Sequence, residues 1–402
     1  MERHLRNWLR CCTILGIYLS PVEEDTSILT RSKIVQASNT RRQAWSSQPI
    51  CHTYLLQRLY LALLALTVCT LYVHGLYMRD IENGLELTWL VATLVYTSQV
   101  FTHLFIFMEA LWKREQHERF LLLLQEIEVL LKLRLKCDVR KPQLLMSLSR
   151  LLLGMVLLSF VGLSVFMTAS VLLNDIGYAF HAAWSVVTFR VRILQLLIYT
   201  RIMRHYLECL CVKLRQVVAC RTSPQSQLLD INYGKLESME LLLAIKENYA
   251  LIFKAIQLLN DFAGWSLFGI IFGHMLDFTC HVYWTLLGLD GYDSPYNYMV
   301  GLPAVLPFSV IVCYLCYVCD KCKKLGNTIA HLVSRLITVT STQRTQRYCA
   351  VVHQLSTQLQ LQRIEVTAKH FFVLDLRLIM SICTAIATNL VILIQFLKTE
   401  NV

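Results

Sequence analysis

The sequence predicts an all-α membrane protein of seven transmembrane helices, with its N-terminus inside the cell and its C-terminus outside. Three observations carry this. Of 402 residues, 55% are hydrophobic and 16% charged, with a mean hydropathy of +0.49, whereas a soluble chain carries about 25% charged residues. The apolar residues are gathered into stretches close to the roughly 20 needed to cross hydrocarbon as a helix. Thirty-two of the 38 Lys and Arg residues fall in alternate connections between those stretches, and positive residues are retained on the cytoplasmic side. The net charge of +11 therefore reads as membrane orientation, and no nucleic-acid partner is expected.

Residues 1–53 read as a cytoplasmic N-terminal segment. Arg3, Arg6 and Arg10 precede an apolar run from Cys11 to Leu19, which suits a short amphipathic helix on the membrane surface. A signal peptide would need a small-residue cleavage site, and Ser20-Pro21 follows instead. Residues 54–319 hold the first six spans and 377–397 the last. Five stretches are free of Asp, Glu, Lys and Arg: between Arg58 and Arg79, Glu86 and Glu109, Arg150 and Asp175, Asp293 and Asp320, and Arg377 and Lys398. Two carry charge: Ala179 to Thr200, with Arg190 and Arg192, and Ala263 to Leu289, with Asp277.

The basic connections have helical periodicity of their own, through Leu122, Leu123, Ile127, Leu130 and Leu131, and through Leu242, Ile245, Tyr249, Ile252 and Phe253. They read as spans continuing below the membrane, whose apolar faces need a partner. Breaks fall at Thr222-Ser-Pro224 and over Thr338 to Arg347, and residues 320–376 read as a cytoplasmic assembly region.

None of the fifteen cysteines falls in an outer loop, so no disulfide is expected. Cys313, Cys316, Cys319 and Cys322 recur every third residue. At about 100° per residue the first and last point to opposite faces, so they read as packed thiols and not as a metal site. No cofactor is expected. No zinc pair, nucleophile motif or phosphate loop stands out, which argues against an enzyme.

The last span ends Thr388-Asn389-Leu-Val-Ile-Leu-Ile-Gln395-Phe396. Thr388, Ile392 and Phe396 lie at i, i+4 and i+8, flanked by Asn389 and Gln395, so one stripe mixes polar groups with two large apolar ones. Such a stripe either packs on neighbouring helices through interhelical hydrogen bonds or lines a pore. The motif resembles the insect gustatory receptor family, whose final helix carries Thr-Tyr, five hydrophobic residues and Gln-Phe; Asn389 replaces the tyrosine. Phe371-Phe-Val-Leu374-Asp375 with Leu378 and Ser381, and Leu15-Gly16-Ile17 with Pro21, are similar to that family's approach to the last helix and to its N-terminal segment.

The resemblance implies a ligand-gated, non-selective cation channel in the plasma membrane of sensory neurons, opened by a small-molecule tastant. It implies a homo- or hetero-tetramer with other gustatory receptor subunits, joined through cytoplasmic helix extensions and embedded in membrane lipid. In that arrangement the last helix lines the pore, Phe396 and Ile392 form a hydrophobic constriction, and each subunit carries a ligand pocket in its outer half.

Candidates for that pocket can be named from the residues. Asp277, His281 and Trp284 share one face of the fifth span, and Trp184 and Thr188 share a face of the fourth, one turn above Arg192. Trp89 and Tyr96 in the second span are further candidates. The same residues also fit a structural ion pair of Asp277 with Arg190 or Arg192 and an interfacial aromatic belt. A secondary transporter with a midplane site at Asp277 and Arg190, and a metabotropic inverted seven-helix receptor, are the rival functions.

Overall fold

The computed structural model describes residues 2–19, 50–77, 86–137, 141–172, 176–222, 239–289, 295–340 and 346–400. In chain order the helices are α1 (Glu2–Ile14), α2 (Ile50–Tyr77), α3 (Glu86–Trp112), α4 (Arg114–Leu133), α5 (Lys141–Leu172), α6 (Ile176–Thr222) and α7 (Met239–Leu289). There follow α8 (Pro295–Thr340), α9 (Gln346–Leu361), strands β1 (Thr367–Ala368) and β2 (Phe372–Val373), and α10 (Leu376–Glu400). Pro21, Pro224 and the outer loops near Arg79, Asn174 and Asp290 lie outside the described residues.

Among the described residues six helices are long and apolar enough to cross a membrane: α2, α3, α5, α7, α8 and α10. The charged fourth stretch lies within α6, a single helix of 47 residues in which Arg190 and Arg192 interrupt the apolar run. Both α7, with 51 residues, and α8, with 46, run far beyond a bilayer's thickness. The α8 helix starts at Pro295, whose fixed φ and missing N–H suit a first turn, and accommodates Pro303 and Pro307 within its length.

The core is built where α6, α7 and α8 pack together, with α4 and α9 closing it at one end. In the α7 extension Leu242, Ile245, Tyr249 and Ile252 are buried, as their spacing requires. Cys316, Cys319 and Cys322 are buried in the α8 interface while Cys313 is exposed. The peripheral spans α2 and α5 bury 17% of their apolar windows against 67% for α7, so most of their apolar surface is left for lipid or another chain.

Three local features differ from what the sequence suggests. The helix after the second span is separate: the chain breaks at Lys113 (φ −105°, ψ 15°), and α4 turns His117, Phe120, Leu123, Leu124, Ile127 and Leu131 inward, leaving Leu122 exposed. The N-terminal segment is not confined to a surface. After α1 the backbone reverses at Gly16 (φ +72°), with Gly16 N–H donating to Thr13 O at 3.0 Å and Ile17 N–H to Cys12 O at 2.8 Å, a Schellman turn. It sends Ile17, Tyr18 and Leu19 into the interior.

A Cβ at residue 16 would lie 2.7 Å from Phe107 and 2.8 Å from Leu61. Gly16→Ala is therefore expected to cost about 1–2 kcal/mol from the left-handed backbone alone, with the steric overlap added. A thermal melt of purified protein should show the loss, and an unchanged melting temperature would contradict this account.

The third difference corrects the all-α expectation. The strands β1 and β2 pair antiparallel, Thr367 opposite Val373 and Ala368 opposite Phe372, around a turn with Lys369 (φ 48°) and His370 (φ 64°) in the left-handed region. The pairing is held from α7. Asn260 Nδ2 donates to Glu365 O at 3.0 Å, its Oδ1 accepts from Thr367 N–H at 3.0 Å, and Lys369 Nζ donates to Asp261 O at 3.1 Å. A side chain 107 residues away thus fixes the hairpin.

Candidate functional site

Among the described residues, the last helix is the least covered of the six candidate spans. None of α10's apolar window counts as buried. One face leans on its neighbours, with Leu378 and Ile382 packing on the main core and Leu390 and Leu393 against Tyr283 of α7. The opposite stripe is exposed from Met380 to Phe396 and includes Met380, Ser381, Thr384, Thr388, Val391, Ile392, Gln395 and Phe396. Asn389 lies at its edge, half-buried. Thr384 and Thr388 turn their hydroxyls back to the carbonyls four residues earlier, at 3.0 Å each, which lowers the cost of Thr on an apolar helix.

A cavity of about 50 Å³ opens between α3, α6, α7 and α8. Its walls include Gln99, Phe189, Arg190, His274, Asp277 and Phe308. Asp277 faces His281 one helical turn on, Oδ1 to Nε2 at 3.5 Å. The His281 ring stands edge-on to Trp284 at 5.3 Å, Trp284 packs on the buried Tyr283, and Leu390 and Leu393 of α10 pack on that same Tyr283. Side chains in contact thus run from the cavity to the last helix.

The other sequence-chosen residues lie elsewhere. Tyr96 is buried against α2, its ring 5.1 Å from Tyr72 and its hydroxyl donating to Leu71 O at 3.4 Å. Thr188 is buried and donates to Trp184 O at 2.9 Å; Trp184 itself is 37% exposed. Trp89 falls on α3 at a position whose side chain lies outside the described residues. Sequence reasoning missed Gln99 and His274. The available signal was that His274 sits three residues before Asp277, on the same helix face.

The charged groups within the apolar stretches separate into two sites. Arg192 is 2% exposed and meets Glu109, 5% exposed, with Nη2 to Oε2 at 3.1 Å. Its remaining donors go to Ser266 Oγ at 3.1 Å, Gln195 Oε1 at 2.8 Å and Phe262 O at 3.2 Å. The second Glu109 oxygen accepts from Trp265 N–H at 2.7 Å. Gln195 donates to the Tyr199 hydroxyl at 3.3 Å, and that hydroxyl lies 2.8 Å from His117 Nε2. Burial, helped by the Arg192 charge, holds the His117 imidazole well below its usual pKa. The ring is therefore neutral, and its Nε2 shares one hydrogen bond with the Tyr199 hydroxyl. The ring stacks on Phe262 at 4.3 Å and meets Tyr18 edge-on at 4.8 Å. The partner of Arg192 is thus Glu109 and not Asp277. Arg190 instead donates to Ser159 O on α5 and turns toward the cavity.

The sequence profile of the 7tm chemosensory receptor family matches residues 5–400. The chain belongs to this family. Similar proteins include a putative gustatory receptor 39b of Drosophila melanogaster, 23% identical over 87% of this receptor and 94% of its own length. Gustatory receptor 23a of the same organism is 33% identical over 36% of this receptor and 38% of its own length. The receptor also shares the fold of the insect olfactory receptor OR5 from Machilis hrabei. It superposes on the eugenol complex with a TM-score of 0.69 and 14% identity, covering 98% of this chain and 99% of that one. On the structure without eugenol the TM-score is 0.62 and the identity 13%. The receptor is therefore a membrane-spanning chemosensory protein with the insect receptor fold.

Proposed function

We propose that the receptor is one subunit of a ligand-gated, non-selective cation channel that depolarises a gustatory neuron on binding a small tastant. The observation that carries this reading is the uncovered stripe of α10. A helix facing only lipid has no use for Ser381, Thr384, Thr388 and Gln395 on its most exposed side, whereas the same stripe repeated around a symmetry axis would line a water-filled path. In the assembled tetramer, of like or mixed gustatory subunits, Ile392 and Phe396 form the constriction and Gln395 the polar group beside it. The extensions α4 and α9, with the inner parts of α7 and α8, join the subunits below the membrane. The α6 stretch 179–200 is the seventh crossing, with Arg190 and Arg192 turned inward to protein partners.

Ligand enters the cavity at Asp277 from the outer side. The contacts through His281, Trp284 and Tyr283 to Leu390 and Leu393 then give it a physical handle on the pore helix. The likeness to an olfactory receptor solved with eugenol supports a small-molecule stimulus.

The test is current evoked by a tastant panel in cells with no other chemosensory signalling, recorded alongside tags at Met1 and after Val402. The N-terminal tag should stain only after permeabilisation and the C-terminal tag without it. Currents that need G-protein signalling, or a reversed staining pattern, would remove this reading.

A further inference from the structure

We propose that the cavity at Asp277 takes a compact zwitterion, of which a small amino acid is the simplest, with its ammonium on Asp277 and its carboxylate on Arg190. The proposal rests on the reading above for the cavity's role as the ligand site, and adds the ligand's chemistry. Arg190 and Asp277 line the same space, yet among the described residues no salt bridge joins them, and their nearest polar partners are Ser159 O and His281 respectively. Two opposite charges facing one cavity without touching leave room for a ligand that carries both complements.

The hydrogen-bonding groups around them point the same way. Ser309 Oγ donates to Val305 O at 3.2 Å, so its remaining role toward His274 Nε2, 3.0 Å away, is that of acceptor. With the hydroxyl proton on Val305 O, His274 donates from Nε2 and its Nδ1 is the acceptor. That Nδ1 is buried without a partner, and so is Gln99 Oε1. Together with the Asp277 carboxylate the cavity presents three acceptors, the complement of an ammonium with three N–H donors.

Charge balance selects among ligands. Arg190 and Asp277 already sum to zero, so a simple amine or a simple carboxylate would leave one buried charge unmatched, and a neutral polyol would match neither. A zwitterion pairs both and keeps the sum at zero. The volume of about 50 Å³ limits size. A single water needs about 10–15 Å³ in this measure, which leaves space for a short backbone and a small side chain against Phe189 and Phe308.

The experiment is equilibrium binding of radiolabelled alanine to detergent-purified receptor, with glycine, serine, propylamine, propionate and glycerol as competitors. Saturable binding displaced by glycine and serine, and not by the singly charged or neutral compounds, is the expected result. Asp277→Asn and Arg190→Gln should each weaken alanine binding by roughly 30-fold or more. Asp277→Asn should in addition raise the relative affinity for propionate, a change of preference that a misfolded protein does not produce.

Absence of saturable binding of any of the three amino acids to monodisperse receptor, or equal displacement by propylamine and propionate, overturns the proposal. Currents recorded in parallel keep the two readings apart. Alanine binding without evoked current leaves the zwitterion site standing and removes the gating role. Current evoked by other tastants, with no amino-acid binding, does the reverse.

Discussion

Arg192→Met should all but remove the receptor from the cell surface. The substitution leaves Glu109, 5% exposed, with its charge facing an apolar side chain, and breaking a buried pair from one side costs about 3–5 kcal/mol. It also removes the bonds to Ser266 Oγ and the Phe262 carbonyl, which tie α6 to α7, and the bond to Gln195 within α6, and it loosens the Tyr199–His117 link to α4 and Tyr18. One residue thus holds α3, α6 and α7 together directly, with α4 and the N-terminal segment attached through its neighbours. The physical origin of the loss can be isolated by adding Glu109→Leu. With both charges gone, an apolar pair of similar bulk avoids the unmatched charge, and much of the stability should return. Surface biotinylation and thermal melts of both variants measure this. A single variant that traffics and melts like the parent would show that the pair contributes little.

Phe396→Ala should give a standing cation leak in the absence of tastant. Phe396 is 60% exposed and Ile392 44% in the single subunit, so truncating Phe396 removes little packing inside the subunit. Its effect falls on whatever the exposed stripe faces. Around the proposed fourfold axis one substitution appears four times, which would widen and wet the proposed constriction and admit ions that it holds back by excluding water. Resting conductance per surface-labelled receptor should rise several-fold. Gln395→Glu, which places carboxylates at the same level, should shift permeability toward divalent cations. If Phe396 instead served packing, the alanine variant would lose surface expression and show no leak; normal closure at normal expression would take Phe396 out of the gate.

Much of this receptor is legible before any coordinates. Membrane class follows from hydropathy, which is a local property, because a helix in lipid must be apolar whatever its neighbours are. The family follows from the Thr388 to Phe396 motif together with the topology around it. The inward faces of the cytoplasmic extensions were readable too, since water on one side imposes a helical period, as in α7 from Leu242 to Ile252.

Inside the membrane that signal fades, because lipid is as apolar as the protein interior and no period marks which face meets which neighbour. Spacing along the chain could show that Arg190, Arg192 and Asp277 need partners, but not which ones. Packing brought Glu109 to Arg192 from 83 positions away and placed Arg190 and Asp277 in the wall of a shared cavity. It added His274 and Gln99 to that cavity and turned Tyr96 toward α2. It also folded residues 367–373 into a hairpin, through an asparagine on a distant helix. The sequence by itself determined which segments are helical and apolar. The tertiary structure alone decided which polar groups meet, because that depends on the rotation and depth at which each helix packs, and neither is encoded in the residues of one helix.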